Sequence, residues 1–486
     1  MTSIKDKTLT GTKWASIEKV SVQGIQFVLS IVMARMLSPS DYGMIGMLGV
    51  FLAVSQTFID GGFTNALVRK IDRTQDDYST VFYFNIAISI VCYLLLFISA
   101  PFVADFYHTP LLCSVLRVQS VSLIINSLIG VQITQLTIEL NFKALAIRSV
   151  FATIISGIIG IVLAYLGFGV WSLVAQNLIS CLVNLLFIWI YCRWTPSLTF
   201  SKQSFDSLFS FGSKLLFSNV INKIYTNIRP IIIGRFFSSA DLGVYTRGCS
   251  FVEYPIYAIN GILEKVTFPI LATIQDDLSR LIQVYRKYIA IVSLVNFFVC
   301  LFIASCARPL VLLLLTDKWE SSIIFLQIIC FSLMFDHICT INLNLLMVKG
   351  YSNLVLKLEV FKKTMMTLVL FASIPFGVVG ICVSSIITTQ IAVFVNTYYT
   401  GKEFGYGYLN QIRDIIPFFV FSLLACLPAF LFTLLDLNEI LSLIFCLLSA
   451  PLIYWILLRK NVYMIEVMDV VKTQINRVFR INLRNN

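Results

Sequence analysis

Long apolar runs separated by short polar clusters recur from one end of the chain to the other. Stretches such as Tyr83–Val103 and Phe418–Leu435 hold about 20 residues almost free of charge, enough to cross a hydrocarbon layer roughly 30 Å thick as a helix. A transmembrane barrel would instead show segments of about 10 residues alternating between apolar and polar, and none stand out. The apolar runs and the turn residues between them predict spans at 14–36, 42–68, 79–102, 112–136, 145–166, 170–192, 207–235, 241–268, 283–306, 322–347, 357–375, 377–399, 412–434 and 438–458. Loops are short throughout, leaving no room for a soluble domain. The expected fold is an all-α polytopic membrane protein of about fourteen transmembrane helices.

Composition sharpens this through what is scarce. Of 486 residues, 58% are hydrophobic and 13% charged, with a mean hydropathy of +0.87, whereas soluble domains carry roughly a quarter charged residues. Met1–Lys13 is polar and basic, and the apolar run from Trp14 to Leu37 that follows is too long for a signal-peptide core and lacks a small-residue cleavage site. A retained first span is expected. The 12 cysteines fall mostly inside apolar runs (Cys92, Cys181, Cys300, Cys306, Cys426, Cys446) and form no CxxC pair, so they read as small hydrophobes with free thiols.

The net charge of +11 does not call for nucleic acid once it is mapped onto the spans. An even number of spans puts both termini on one side. That side collects Lys5, Lys7, Lys13, Arg69, Lys70, Arg73, Lys143, Arg148, Arg193, Lys202, Arg280, Arg286, Lys287, Lys349, Lys357, Lys362, Lys363, Lys402, Arg413, Arg459 and Lys460, while the opposite loops hold chiefly Arg117, Arg308 and Lys318. Cytoplasmic loops carry the Lys/Arg excess, so both termini are expected in the cytoplasm. Beyond Arg459, Met464, Met468, Val471, Ile475 and Phe479 recur at helical spacing with Lys472, Arg477, Arg480 and Arg484 among them. Two readings stand: a helix lying on the anionic leaflet, or a solvated basic tail.

The chain also repeats itself. Arg35-Met-Leu-Ser38-Pro-Ser-Asp41-Tyr-Gly43 matches Arg235-Phe-Phe-Ser238-Ser-Ala-Asp241-Leu-Gly243 at an offset of 200 residues, which also aligns Asp60-Gly61 with Asn260-Gly261 and Gln75-Asp76-Asp77 with Gln275-Asp276-Asp277. Pro101 and Gln119 pair with Pro309 and Gln327 at an offset of 208, and Arg148 with Lys357 at 209, so one short insertion explains the drift. Six spans per half give both halves the same topology, as in parallel repeats that rock about a central site. The expected organisation is a six-helix bundle over 1–200, its repeat over 201–405, an added helix pair over 406–460, and a basic tail over 461–486. In the repeated turn, Ser38-Pro39-Ser40-Asp41 stops one helix before the proline and offers Ser or Asp to cap the next. Asp41 and Asp241 are expected to be caps, and Gly43-x-x-Gly46-x-x-Gly49 a small-residue ridge for close helix approach.

These residues carry a family resemblance. A first span ending Ala-Arg-Met-Leu-Ser-Pro-Ser-Asp-Tyr-Gly, with Ile-Gly-Arg-Phe-Phe and Asp-Leu-Gly-Val-Tyr-Thr-Arg within 233–247 and Phe-Pro-Ile-Leu through Gln-Asp-Asp within 268–277, resembles the polysaccharide-transport branch of the multidrug/oligosaccharidyl-lipid/polysaccharide exporter superfamily, the oligosaccharide and O-antigen flippases. The resemblance spans essentially the whole chain and implies the fold of multidrug extruders and lipid II flippases. It further implies transfer of undecaprenyl-pyrophosphate-linked glycan across the bacterial inner membrane. The partners it implies are the lipid bilayer and, as further candidates, a polysaccharide polymerase and a chain-length regulator, with no nucleic acid. One departure stands out: Asn227-Ile228-Arg229-Pro230 replaces the Asn-x-Asp expected in the seventh span.

Ionisable residues within spans are costly and usually face a cavity. Lys19, Gln23, Gln26 and Ser30 share one face of the first span, and Asn219, Asn222, Lys223, Thr226 and Arg229 one face of the seventh, at equivalent places in the two halves. A pyrophosphate is best met by Lys and Arg donors, so these stripes are the candidate substrate-binding residues, with Arg35 and Arg235 near the outer mouth. Lys19, near a span end, could equally snorkel. Asp60, Glu253, Glu264 and Asp336 are the candidate charge-balancing or coupling acids, although Glu264 beside Lys265 also fits an ion pair at a span end. Pro230, Pro255 and Pro375 are candidate kinks. Gly401-Lys402-Glu403 has neither the loop nor the Ser/Thr of a Walker motif, and His108 and His337 are far apart in sequence. Accordingly no metal, no catalytic residue and no cofactor is expected, with a proton or sodium ion as candidate coupling ion. A cation-coupled drug exporter of the same fold, and a membrane glycan polymerase or glycosyltransferase, are the competing functions.

Overall fold

The computed structural model describes residues 4–435 and 437–469, and every regular element among them is a helix. Ten helical stretches are long and apolar enough to cross a membrane, and the bent pair Leu111–Ser127 and Gly130–Ile138 makes an eleventh. One of the ten, Ser352–Phe404, is two helices, Ser352–Ser373 and Gly377–Phe404, folded back on each other through the 3-10 turn Ile374–Phe376. Lys202–Thr226, Ile228–Phe236 and Ser239–Thr273 occupy the places of the predicted seventh and eighth spans. The chain is a multi-pass membrane protein, and its elements are compatible with fourteen crossings.

Several predicted spans are broken where the backbone demands it. The span expected over 42–68 is Pro39–Asp60 followed by Phe63–Arg69, interrupted by Gly61 and Gly62 at φ of 48° and 71°, a left-handed conformation that glycine adopts without steric penalty. Pro230 lacks an amide hydrogen and its ring would meet the carbonyl of Thr226; the seventh span accordingly breaks at Asn227. Pro255 instead lies inside the unbroken helix Ser239–Thr273, and Pro375 within the 3-10 turn.

The chain forms two compact units, Met1–Gly243 and Val244–Asn486. Residue 200, the expected limit of the first bundle, falls inside the first unit because Lys202–Thr226 packs on Pro39–Asp60 and Phe63–Arg69. In that unit Ile4–Met36 lies along Phe142–Tyr165, which lies on Val170–Cys192. Both copies of the repeated turn are capped alike. The Ser38 amide donates to Asp41 Oδ2 (2.9 Å) and the Asp41 amide to Ser38 Oγ (3.3 Å); Ser238 and Asp241 repeat this at 3.1 Å each way. Serine is thus the cap and aspartate closes the box from the third helical position. The two copies touch reciprocally: a Cβ added to Gly43 would lie 1.7 Å from the Ser239 carbonyl oxygen, and one added to Gly243 would lie 1.8 Å from that of Pro39. The Ser40 and Ser239 hydroxyls meet at 2.7 Å between them.

In the second unit Leu278–Ser305 packs on Tyr408–Thr433, which packs on the last span, Glu439–Leu458. A sealed polar cluster joins four of its helices. Tyr285 Oη and Thr400 Oγ1 each donate to Asn342 Oδ1 at 2.7 Å, and the Asn342 and Gln411 carboxamides exchange hydrogen bonds at 3.0 and 3.1 Å. All four residues are buried. At the neighbouring turn, Tyr406 Oη donates to Asp414 Oδ2 at 2.6 Å, and burial together with that carboxylate holds its hydroxyl protonated well above the usual tyrosine range. Residues 462–469 continue as helix, anchored where Lys287 Nζ reaches Glu466 at 2.8 Å. The rest of the predicted amphipathic tail, from Val471 to Arg484, lies outside the described residues.

Candidate functional site

A cavity of about 720 Å³ opens within the first unit, lined by ten polar side chains together with Gly62, Ile129, Gly130 and Ile133. Pro39–Asp60 contributes Gln56, Thr57 and Asp60 at its end, and Thr64 follows the Gly61–Gly62 break. Asn126 comes from Val121–Ser127, and Gly130, Ile133 and Thr134 from the next helix. Lys202–Thr226 presents Asn219, Asn222, Lys223 and Thr226. Positions three and four apart fall on one helical face, which is why these last four point the same way. The helix breaks at 61–62, 128–129 and 227 all border this space. Irregular backbone at membrane depth is tolerated where it is enclosed in protein or lines a cavity.

The site's polarity is arranged in two grades. Thr57, Thr134 and Thr226 donate their hydroxyls to backbone carbonyls one turn back, at 2.8, 2.8 and 3.1 Å, and Thr226 Oγ1 also accepts from Asn227 Nδ2 at 3.3 Å. Gln56 Nε2 donates to Asp60 Oδ1 at 2.9 Å, and the Lys223 ammonium acts on the same carboxylate through space. Among the described lining residues there is one cation, Lys223, and one carboxylate, Asp60. Such a surface suits a ligand rich in hydroxyls that also carries a localised negative charge.

Of the predicted site residues, the structure brings together Asn219, Asn222, Lys223 and Asp60. Lys19, Gln23 and Gln26 lie on Ile4–Met36, with Lys19 and Gln26 exposed, and none of them lines the cavity. Arg35 is exposed in the last turn of that helix. Arg229 is half-buried in the short helix Ile228–Phe236, past the Asn227 break and outside the cavity lining. Arg235 is engaged structurally: Nη1 donates to the Phe106 carbonyl at 2.7 Å, meets His108 Nε2 at 2.5 Å, and its guanidinium covers the Phe106 ring at 4.9 Å. In the second unit Glu253 is half-buried, and Asp336 accepts from Asn260 Nδ2 at 2.9 Å. The amide aligned with Asp60 in the repeat therefore binds a carboxylate of its own. The side chain of Glu264 lies outside the described residues.

Gln56, Thr57, Thr64, Asn126 and Thr134 add polar side chains to the lining and were not anticipated. Gln56 stands one turn before Asp60 and Asn126 interrupts an apolar run; a search for amides one turn from an intramembrane acid would have found the first. His337, remote from any partner in sequence, is buried and bonded to Ser293 at 2.8 Å and Asn296 at 3.2 Å.

With this geometry in view, a profile of the family described as polysaccharide biosynthesis protein matches residues 32–324. The teichuronic acid biosynthesis protein TuaB of Bacillus subtilis (strain 168) is 26% identical over 380 residues, 78% of each chain. The lipopolysaccharide biosynthesis protein WzxC of Escherichia coli (strain K12) is 25% identical over 425 residues, 86% of this chain and 81% of that one. Among solved structures, the lipid II flippase MurJ in an inward closed conformation is similar with a TM-score of 0.72 at 12% identity, covering 93% of this chain and 99% of its own. An inward-facing MATE-family multidrug resistance transporter gives 0.60 at 15% identity, covering 80% and 98%. At these identities the two structures share the fold, and fold alone does not assign a substrate.

Proposed function

Because the chain belongs to the polysaccharide biosynthesis protein family, we propose that it is a flippase that carries undecaprenyl-pyrophosphate-linked oligosaccharide between the leaflets of the bacterial inner membrane for surface-polysaccharide assembly. The observation that carries this reading is the cavity between helices of the first unit, with Lys223 set among amides and hydroxyls. Such a cavity replaces water around sugar hydroxyls and pyrophosphate charge during a crossing that hydrocarbon would otherwise oppose. No bond need be made or broken, so the work is binding and alternating exposure by two parallel repeats. Asp60 is the proposed carrier of a coupling proton or sodium ion, since a carboxylate beside an ammonium changes its charge balance with occupancy. The Lys/Arg distribution favours cytoplasmic termini, and a polymerase and chain-length regulator are proposed to act on the delivered units.

The test is a reconstituted assay. Vesicles holding the full chain receive undecaprenyl-pyrophosphate-linked oligosaccharide in one leaflet, and its appearance in the other is followed with an impermeant sugar-oxidising reagent. Transfer above empty vesicles, lost in Lys223→Glu protein that is inserted at wild-type levels, supports the reading. Transfer at the empty-vesicle rate, with export of cationic drugs instead, would replace it with the multidrug-exporter reading.

A further inference from the structure

Helices Pro39–Asp60 and Lys202–Thr226 each separate two environments. One is the polar cavity. The other is a cleft of about 610 Å³ with opposite chemistry, lined by Phe51, Val54 and Phe58, by Leu95 and Phe102 of Gln75–Phe106, and by Ile224. Successive helical side chains diverge by about 100°, so sequence neighbours face different spaces: Thr57 and Phe58 diverge in this way, as do Lys223 and Ile224. The polar cavity and the apolar cleft thus come within one residue of each other on the same helix, at Lys223 and Ile224.

We propose that this cleft seats the isoprenoid chain of the lipid-linked substrate while its pyrophosphate and sugars occupy the polar cavity, an inference that rests on the flippase reading above. Hydrophobicity does not select the chain, because membrane lipid is as apolar as the Leu and Phe side chains of the cleft. The tether does. Once the head is bound, the chain attached to it is held beside the cleft, so its presence there no longer depends on its abundance in the bilayer. The cleft then fixes where the chain lies as the head changes sides, so translocation moves a bound amphiphile along one helix pair.

The test places a photo-crosslinker, p-benzoylphenylalanine, at one of three positions in the full chain: Leu95 in the cleft, Thr226 in the polar cavity, or Ile158 on Phe142–Tyr165. Leu95 and Ile158 are 62% and 56% exposed, so they meet lipid about equally. Vesicles contain undecaprenyl-pyrophosphoryl-N-acetylglucosamine tritiated in its isoprenoid. Capture from Leu95 on the order of tenfold above Ile158 is expected, falling when water-soluble pyrophosphoryl-N-acetylglucosamine competes for the head site. Filling the cleft with Leu95→Trp is expected to slow transfer about tenfold while capture from Thr226 persists. Equal capture at Leu95 and Ile158, capture at Leu95 indifferent to the soluble head, or unchanged transfer in Leu95→Trp would each overturn the cleft assignment. Capture at Thr226 without capture at Leu95 overturns the cleft and spares the flippase reading; absence of capture at both overturns the two together.

Discussion

Lys223 and Asp60 face the same cavity from different helices, and the ammonium acts on the carboxylate through space. A lone charge at mid-membrane costs about 2.5–3.5 kcal/mol on insertion scales, so neutralising one partner should hurt more than neutralising both. Asp60→Asn and Lys223→Gln are each expected to lower thermal stability in detergent, and the double variant to recover about 0.5–3 kcal/mol relative to the sum. Strict additivity in that cycle would show that the two do not interact. Gln56 is the third member: Gln56→Leu removes the 2.9 Å donor to Asp60 and should reduce transfer with little change in insertion, measured in the vesicle assay.

At the scale of elements, close approach and sealed polarity hold the helices in place. The Gly43 and Gly243 contacts leave no space for a methyl group, since a Cβ would stand 1.7 or 1.8 Å from a carbonyl oxygen. Gly43→Ala must push two backbones apart and should cost about 1–3 kcal/mol, read as a lower melting temperature, with Gly243→Ala behaving alike because the contact is reciprocal. An effect confined to one of the two would contradict the pairing of the turns. In the second unit the Asn342 side chain holds Tyr285, Thr400 and Gln411 together. Interhelical hydrogen bonds in membranes average only about 0.6 kcal/mol, but Asn342→Leu orphans several buried groups at once and is expected to cost about 1–3 kcal/mol, again by thermal denaturation. The surface pair Arg286–Asp414, whose arginine is half exposed, should matter less, by about 0.2–1 kcal/mol.

For the whole molecule, orientation is the property most open to a direct check. Ten of the twelve cysteines are buried and only Cys113 and Cys192 are half-buried, so a background lacking those two suits thiol labelling. The charge pattern predicts that Leu166→Cys reacts with an impermeant maleimide applied to intact spheroplasts and that Leu198→Cys reacts only after lysis. Both positions are exposed, at 62% and 94%. The reverse pattern would invert the proposed topology and with it the direction of transport.

Much of this was legible without a structure, for physical reasons. Hydrocarbon admits only self-satisfied helices, so apolar runs such as 83–103 announce spans directly, and the Ser38–Asp41 and Ser238–Asp241 boxes are local enough to be read from spacing. Helical periodicity likewise put Asn219, Asn222 and Lys223 on one face. What periodicity cannot supply is which other helix that face meets. The stripe of Lys19, Gln23 and Gln26 has the same spacing yet lies outside the cavity, and Arg235 is spent on the end of Gln75–Phe106. Gln56, Asn126 and Thr134 belong to the site because their helices, which break nearby at 61–62 and 128–129, line the same cavity as Lys202–Thr226. The sequence by itself determined the helical, membrane-spanning character of the chain and the place of the repeated turns, since each rests on a solvent with no water and on contacts within a few residues. Tertiary structure alone decided which polar faces share a cavity, because that depends on packing between elements far apart in the chain, such as Lys202–Thr226 on Pro39–Asp60.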